Sequence, residues 1–222
     1  MCAIDILRAG GKVIAIRAAG RVGGPAAIME SFDGGRTWTG RDLSRLTGMI
    51  LDIKFVSPTT GFIAGATASD ERRSHAQVLK TTDGGRTWRT VYRSRRPVEN
   101  TWKIAFPTPS VGYVTVLSYD PDPASTRRYI AKTVDGGETW RELAVADDKA
   151  LIEYGVAFID ARHGWVGGDP IGYETRDGGL TWRPAHMGVA VNKIRILPKA
   201  DGGLRLFSVG KEVWRLDLPP GS

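Results

Sequence analysis

A chain of 222 residues with 41% hydrophobic and 25% charged residues has the composition of a water-soluble globule and the length for a substantial core. The single cysteine, Cys2, excludes an internal disulfide framework and a cysteine-built metal site, and His75, His163 and His186 lie too far apart to form a zinc-type i,i+3 or i,i+4 pair. A net charge of +7 suits an anionic partner, and no run approaches the ~18 apolar residues of a membrane span.

At the N-terminus, Asp5 and Arg8 interrupt the apolar stretch, so no signal segment is expected and the chain reads as soluble and cytoplasmic. Residues 3–6 and 12–16 then read as two short strands. The same pair recurs along the chain. Alternating segments at 52–55, 103–106, 155–158 and 193–196 are each followed by an apolar strand, at 61–65, 112–116, 164–168 and 204–208. After the first four pairs come a variable loop, a third strand and one six-residue motif. It reads D-G-G-x-T-W, from Asp33 to Trp38, Asp83 to Trp88, Asp135 to Trp140 and Asp177 to Trp182. The Asp-to-Asp steps are 50, 52 and 42 residues, a period that marks a repeat architecture. A fourth strand is expected to begin at each Trp.

Each unit is therefore a four-stranded antiparallel meander, which exposes two apolar faces and is unstable alone. Packing units face to face around an axis buries them, so the expected fold is all-β, a β-propeller in one domain spanning 1–222. Five blades are expected, at about 1–45, 46–98, 99–148, 149–188 and 189–220. The last is incomplete, because it has no D-G-G box and no fourth strand.

Within the box, two glycines after an aspartate make a turn that needs φ > 0, the carboxylate can accept hydrogen bonds from the turn's own amides, and the Trp offers a large apolar face. Asp33, Trp38, Asp83, Trp88, Asp135, Trp140, Asp177 and Trp182 are read as structural. One carboxylate per box is too few oxygen ligands for calcium, and no metal or cofactor is expected.

The box, with the strand pattern before it, resembles the Asp-box or bacterial neuraminidase repeat of sialidases, other glycosidases, sortilin-type receptors and the photosystem II assembly/stability factor propellers. The fuller pattern of apolar strand, G-(F/Y/W)-x-x-G and K-T-x-D-G-G-x-T-W is most similar to the last of these. The resemblance implies a propeller whose boxes lie on peripheral turns, away from the binding face. Those factors are usually seven-bladed, and this chain is shorter. A sialidase-like site would need an arginine triad, a Tyr/Glu nucleophile pair and an Asp acid. The Arg-Ile-Pro motif that precedes the first box in such enzymes is absent, and Glu153-Tyr154 is the only adjacent Glu/Tyr pair. No catalytic residue is assigned.

In a propeller the D-G-G turns share one face with the strand 1–2 turns, and the strand 2–3 and inter-blade loops form the other. The second set here, 18–25, 66–76, 93–97 and 118–128, is long, irregular and rich in arginine. Arg21, Arg41, Arg45, Arg72, Arg73, Arg93, Arg95, Arg96, Arg127 and Arg128 are expected on it. Trp102 and Tyr119 are candidate aromatic anchors there, although Trp102 fits a blade–blade contact equally well. Arginine's planar fork suits carboxylates. Interleaved Asp70, Glu71, Glu99, Asp120, Asp122, Asp147 and Asp148 make the surface mixed, which argues against nucleic acid. The expected function is a non-catalytic, monomeric scaffold that engages another protein, one with an acidic surface, through the arginine-rich loop face. The alternative is a carbohydrate-binding or sialidase-like glycosidase propeller. Asp5, Asp52, Lys54, Lys103, Lys193 and Arg195 are expected to make the central channel polar.

Overall fold

The computed structural model describes residues 3–20, 26–122 and 124–221. It is a five-bladed β-propeller with almost no helix. Blade 1 holds β1 (Ala3–Ala9), β2 (Lys12–Gly20), β3 (Ala27–Ser31) and β4 (Thr39–Asp42). Blade 2 holds β5 (Met49–Phe55), β6 (Gly61–Ala66), β7 (Ala76–Thr81) and β8 (Arg89–Arg93). Blade 3 holds β9 (Glu99–Ala105), β10 (Gly112–Ser118), β11 (Arg127–Thr133) and β12 (Arg141–Asp147). Blade 4 holds β13 (Ile152–Phe158), β14 (Gly164–Asp169), β15 (Gly172–Thr175) and β16 (Arg183–Ala185). Blade 5 has three described strands, β17 (Lys193–Pro198), β18 (Leu204–Val209) and β19 (Val213–Leu218). Every sheet is an antiparallel meander in chain order. One 3₁₀ turn, Glu71–Arg73, interrupts the strand 2–3 loop of blade 2.

The four D-G-G-x-T-W turns share one geometry. Both glycines of each box sit at positive φ, for example Gly84 at 77° and Gly85 at 93°, where a Cβ is strained. The box aspartate accepts from the backbone N–H and hydroxyl of the Thr four residues on, at 2.9 and 2.6 Å for Asp83 and Thr87. The Ser or Thr two residues before it donates to the same carboxylate. Trp38, Trp88 and Trp182 each donate their indole N–H to the carbonyl of the second glycine. The Trp thus closes the turn. The fourth strand starts one residue after it, at Thr39, Arg89, Arg141 and Arg183, rather than at the Trp itself.

Between blades one pattern repeats. The residue after the first residue of strand 2 meets the aromatic ring at the end of the next blade's inner strand. Phe62 stacks on Phe106 at 4.3 Å, and Tyr113 stacks on Phe158 at 3.6 Å. In blade 1 strand 2 starts earlier, and the residue in the same register, opposite Glu30 as Phe62 is opposite Lys80, is Arg17, whose guanidinium lies 3.5 Å from the centre of the Phe55 ring and pairs with Glu30 at 2.8 Å. The box Trp then packs edge-on to the same ring, Trp88 on Phe55, Trp140 on Phe106 and Trp182 on Phe158. Each pair is worth ~1 kcal/mol beyond the area it buries.

The inner strands of all five blades line a central cavity of about 40 Å³, bordered by Asp52, Lys103, Lys193 and Arg195. Lys103 Nζ donates to the Leu51 carbonyl at 3.1 Å, and the Asp52 carboxylate accepts from the Ile104 N–H at 3.1 Å. Beside the cavity, between β1 and β5, Lys54 pairs with Asp5 at 2.9 Å. Burial pushes the Asp52 pKa up, against the pull of Lys103.

The ring departs from expectation at one place. Strand contacts link blades 1–2, 2–3, 3–4 and 4–5, and none as extensive joins blade 5 to blade 1. Ile4, Ile6 and Trp38 on blade 1 are accordingly exposed, whereas Ile53, Phe55 and Trp88, on the corresponding face of blade 2, are buried.

Candidate functional site

The two faces separate as the repeat predicts. The D-G-G turns bond to the strand 1–2 turns, through Gly84 N–H to Thr59 O, Gly136 N–H to Ser110 O and Gly178 N–H to Arg162 O. The strand 2–3 loops bond instead to the inter-blade connections, through Ser94 N–H to Ala76 O, Glu99 N–H to Ser74 O and Tyr119 N–H to Val98 O.

On the second face, arginines converge at the junction of blades 2 and 3. Arg96 is the fixed member. Its Nε donates to Glu99 Oε1 at 2.5 Å, its Nη1 to Glu142 Oε2 at 2.9 Å, and its guanidinium carbon lies 4.3 Å from the centre of the Tyr129 ring. Tyr92 Oη donates to the other Glu142 oxygen at 2.7 Å. Burial pushes the Glu99 carboxyl up, opposed by Arg96, and burial with the adjacent Glu142 raises the Tyr92 phenol. The two glutamates hold Arg96 charged and still.

Arg96 is the wall between two depressions. One, of about 560 Å³, is lined by Tyr92, Arg93, Arg95, Trp140 and Glu142. The other, of about 300 Å³, is lined by Ser125, Thr126, Arg127, Tyr129 and Asp147. Arg93, Arg95 and Arg127 are exposed and make no side-chain hydrogen bond or ion pair with a described residue. An exposed guanidinium with no internal acceptor keeps its five donors for a ligand, and a carboxylate accepts two of them at once.

The other expected residues divide. Arg72 and Arg73 are exposed on the 3₁₀ turn, which Asp70 caps, and no described contact ties them to the groove. Tyr119 is 39% exposed. Trp102 is half-buried and meets Tyr154 of blade 4 edge-to-face at 5.7 Å, so it serves the blade–blade contact. Arg128 is not a surface residue. It is 4% exposed and braces the loops, donating to the carbonyls of Leu151, Lys149 and Ser125. Arg41 reaches the Arg86 carbonyl in the next blade's D-G-G turn rather than the loop face. Arg21 lies outside the described residues. Glu142, Tyr92 and Tyr129 belong to the groove and were not expected as its members, whereas Glu99 was expected among the acidic residues of this face. Arg96 and Glu99, three residues apart with opposite charge, carry a local signal, but Glu142 reaches Arg96 only through tertiary packing.

The Glu153-Tyr154 pair faces no cleft. Glu153 is fully buried with both carboxylate oxygens unpartnered, and desolvation pushes its pKa well above the usual carboxylate range. Among the described residues no group of three His, Cys, Asp or Glu side chains is arranged to hold a metal.

No protein-family model matches the chain, and no curated protein matches it in sequence. Solved structures do match. A GH74 xyloglucanase from Xanthomonas campestris superposes with a TM-score of 0.61 at 16% identity, over 91% of this chain and 34% of that one. The likeness is one of fold. A GH74 enzyme from Niastella koreensis gives 0.62 at 18% identity, over 92% and 35%. YCF48 from Cyanidioschyzon merolae gives 0.43 at 18%, over 95% and 79%. The chain spans about a third of the length of the GH74 structures it matches. No described helix is long and apolar enough to cross a membrane.

Proposed function

We propose that this protein is a non-catalytic binding propeller that engages an acidic segment of another protein along the groove of Arg93, Arg95, Arg96 and Arg127. The observation that carries this reading is the contrast within the cluster. Arg96 is locked by Glu99 and Glu142, while the three arginines around it have no internal partner. A merely solvated rim has no reason to hold one guanidinium rigid between two depressions. Arg96 and its glutamates shape the surface, and Arg93, Arg95 and Arg127 supply the charge. The common geometry of the four D-G-G-x-T-W turns supports reading them as Asp-boxes, with the scaffold role that resemblance implies.

A carbohydrate site is less well supported, because a sugar needs an open aromatic face and Arg96 covers that of Tyr129. An array carrying Asp/Glu-rich peptides, Lys-rich peptides and sialoside and glucan oligosaccharides separates the readings. Saturable binding confined to the acidic peptides, and lost in Arg93→Glu/Arg95→Glu/Arg127→Glu, is expected. Turnover or retention of a glycan by the wild type would refute it.

A further inference from the structure

The seam between blades 3 and 4 encloses a carboxyl group at a position where the neighbouring blades carry none. Five residues before the side chain that ends each inner strand, Phe55, Phe106, Phe158 or Ile196, stand Ile50, Thr101, Glu153 and Val191. All four are wholly enclosed, at 0% exposure. Two are aliphatic. Thr101 is polar but satisfied, its hydroxyl lying 2.9 and 2.7 Å from the Gly65 and Gln77 carbonyls of blade 2. Of the four, Glu153 alone is ionisable, and neither of its carboxyl oxygens has a hydrogen-bond partner. Both blades beside it have all four strands.

Its surroundings tie it to the arginine groove. From β11 it is faced by the Tyr129 backbone and the Arg128 guanidinium, from β9 by Glu99 and from β15 by the Tyr173 phenol. Gly168, opposite it on β14, brings no ionisable group. Arg128 is the nearest counter-ion, yet it commits its donors to the carbonyls of Leu151, Lys149 and Ser125, at 2.7, 2.7 and 3.0 Å. Those bonds hold the backbone beside Arg127, and the Tyr129 ring lies under Arg96. Desolvation, with Glu99 adding to it and Arg128 opposing it, keeps the enclosed acid uncharged. Burial raises the Tyr173 phenol as well, so that group stays neutral beside it.

We propose that Glu153 is a pH-sensitive latch on the seam of blades 3 and 4, and through it on the arginine groove. Closed, the acid holds its proton and Arg128 braces the loops. Opening lets the acid release its proton to solvent, and the carboxylate then draws Arg128 from the Leu151 and Lys149 carbonyls. Segment 125–129, with Arg127, loosens. An acid that is neutral when enclosed and ionised when open favours the closed seam at low pH. Above the solvent-exposed glutamate value of roughly 4.3, opening gains up to about tenfold per pH unit, until the enclosed acid itself ionises. The latch regulates the groove and rests on the function proposed above for its effect on binding, but not for the opening itself.

Hydrogen exchange on the full 222-residue chain at fixed ionic strength, from about pH 5 to 9 and corrected for intrinsic exchange, tests the opening. In the wild type the opening equilibrium of amides 125–130 and 151–155 should rise at least about tenfold over this range. Glu153→Gln and Glu153→Leu should hold it constant within about twofold, and amides 61–66 of blade 2 should behave alike in all three proteins. The leucine matches the aliphatic residues of blades 2 and 5, and it covers the case in which an unpartnered Gln amide destabilises the seam. Both variants keep every histidine, so a difference belongs to position 153. An acidic peptide selected on the array should bind the wild type at least about threefold more weakly at pH 9 than at pH 6, and Glu153→Leu equally at both. If no acidic peptide binds either protein, the groove reading fails and the exchange result alone decides the latch. Wild-type exchange as flat as that of the variants, variants as pH-dependent as the wild type, or one pH profile of affinity for wild type and Glu153→Leu would overturn the inference.

Discussion

At the scale of single residues, the arginines of this protein do three different jobs, which burial and partners separate and sequence does not. Arg17 and Arg128 are interior braces, Arg96 is a held wall, and Arg93, Arg95 and Arg127 are unpartnered. The consequences for stability differ in the same order. Arg17→Ala leaves Glu30 charged and buried and should cost about 3–5 kcal/mol in chemical denaturation. Arg96→Ala leaves Glu99 in the same plight, but from a half-exposed position, and should cost about 2 kcal/mol. Arg93→Ala, Arg95→Ala and Arg127→Ala should stay within about 0.5 kcal/mol of wild type. Equal effects across the five would remove the basis for singling out the groove. Blade 1 shows why Arg17 escapes a reading of the sequence. It occupies a position that carries Phe62, Tyr113 and Trp165 in the next three blades, and only the structure shows its guanidinium replacing an aromatic ring on Phe55.

At the scale of the element, the glycine–aspartate turn of the D-G-G-x-T-W box was legible. Two glycines, an aspartate and a Trp at fixed offsets have few other ways to satisfy the backbone, and all four copies adopt the same form. The Trp closing the turn from the last position, so that the fourth strand starts a residue later, was not legible, because it depends on an indole bond to a carbonyl. The box carboxylates also set an acid limit. Hydrogen bonds from Thr37, Thr87, Thr139 and Thr181 hold their aspartates well below the usual carboxylate range, Asp177 at about 2. A carboxylate with a folded pKa below its unfolded value of roughly 3.9 stabilises the fold above that value. This stabilisation fades as pH falls through the folded pKa. Melting temperature should therefore drop between about pH 4 and 2, with a shallower drop in Asp177→Asn. Identical pH profiles for the two proteins would count against the bonding pattern.

At the scale of the molecule, the repeat predicts five blades and two faces, one of D-G-G turns and one of irregular loops, and both are present. The sequence did not reveal that the blades pack as a series with one face uncovered. Pattern along a chain reports which residues are apolar, and it does not report whether a neighbour arrives to cover them. The same residue type should therefore weigh differently at equivalent positions. Trp88→Ala, in a closed interface, should cost about 3–5 kcal/mol, and Trp38→Ala, exposed on blade 1, about 1 kcal/mol or less. Matching losses would mean that another surface covers blade 1 in solution. The division of faces also sets the most distinctive motif apart from the proposed binding groove. The boxes orient the blades, and the irregular loops on the opposite face carry the unpartnered charge.

The account rests on that charge being free for a ligand. Its most direct test is the affinity of an acidic peptide, selected on the array, for the wild type and for Arg93→Glu/Arg95→Glu/Arg127→Glu, measured by calorimetry from 50 to 300 mM salt. The predicted result is wild-type binding that weakens steeply with salt and a variant that folds normally and weakens at least about a hundredfold. Equal affinities for the two proteins would contradict it.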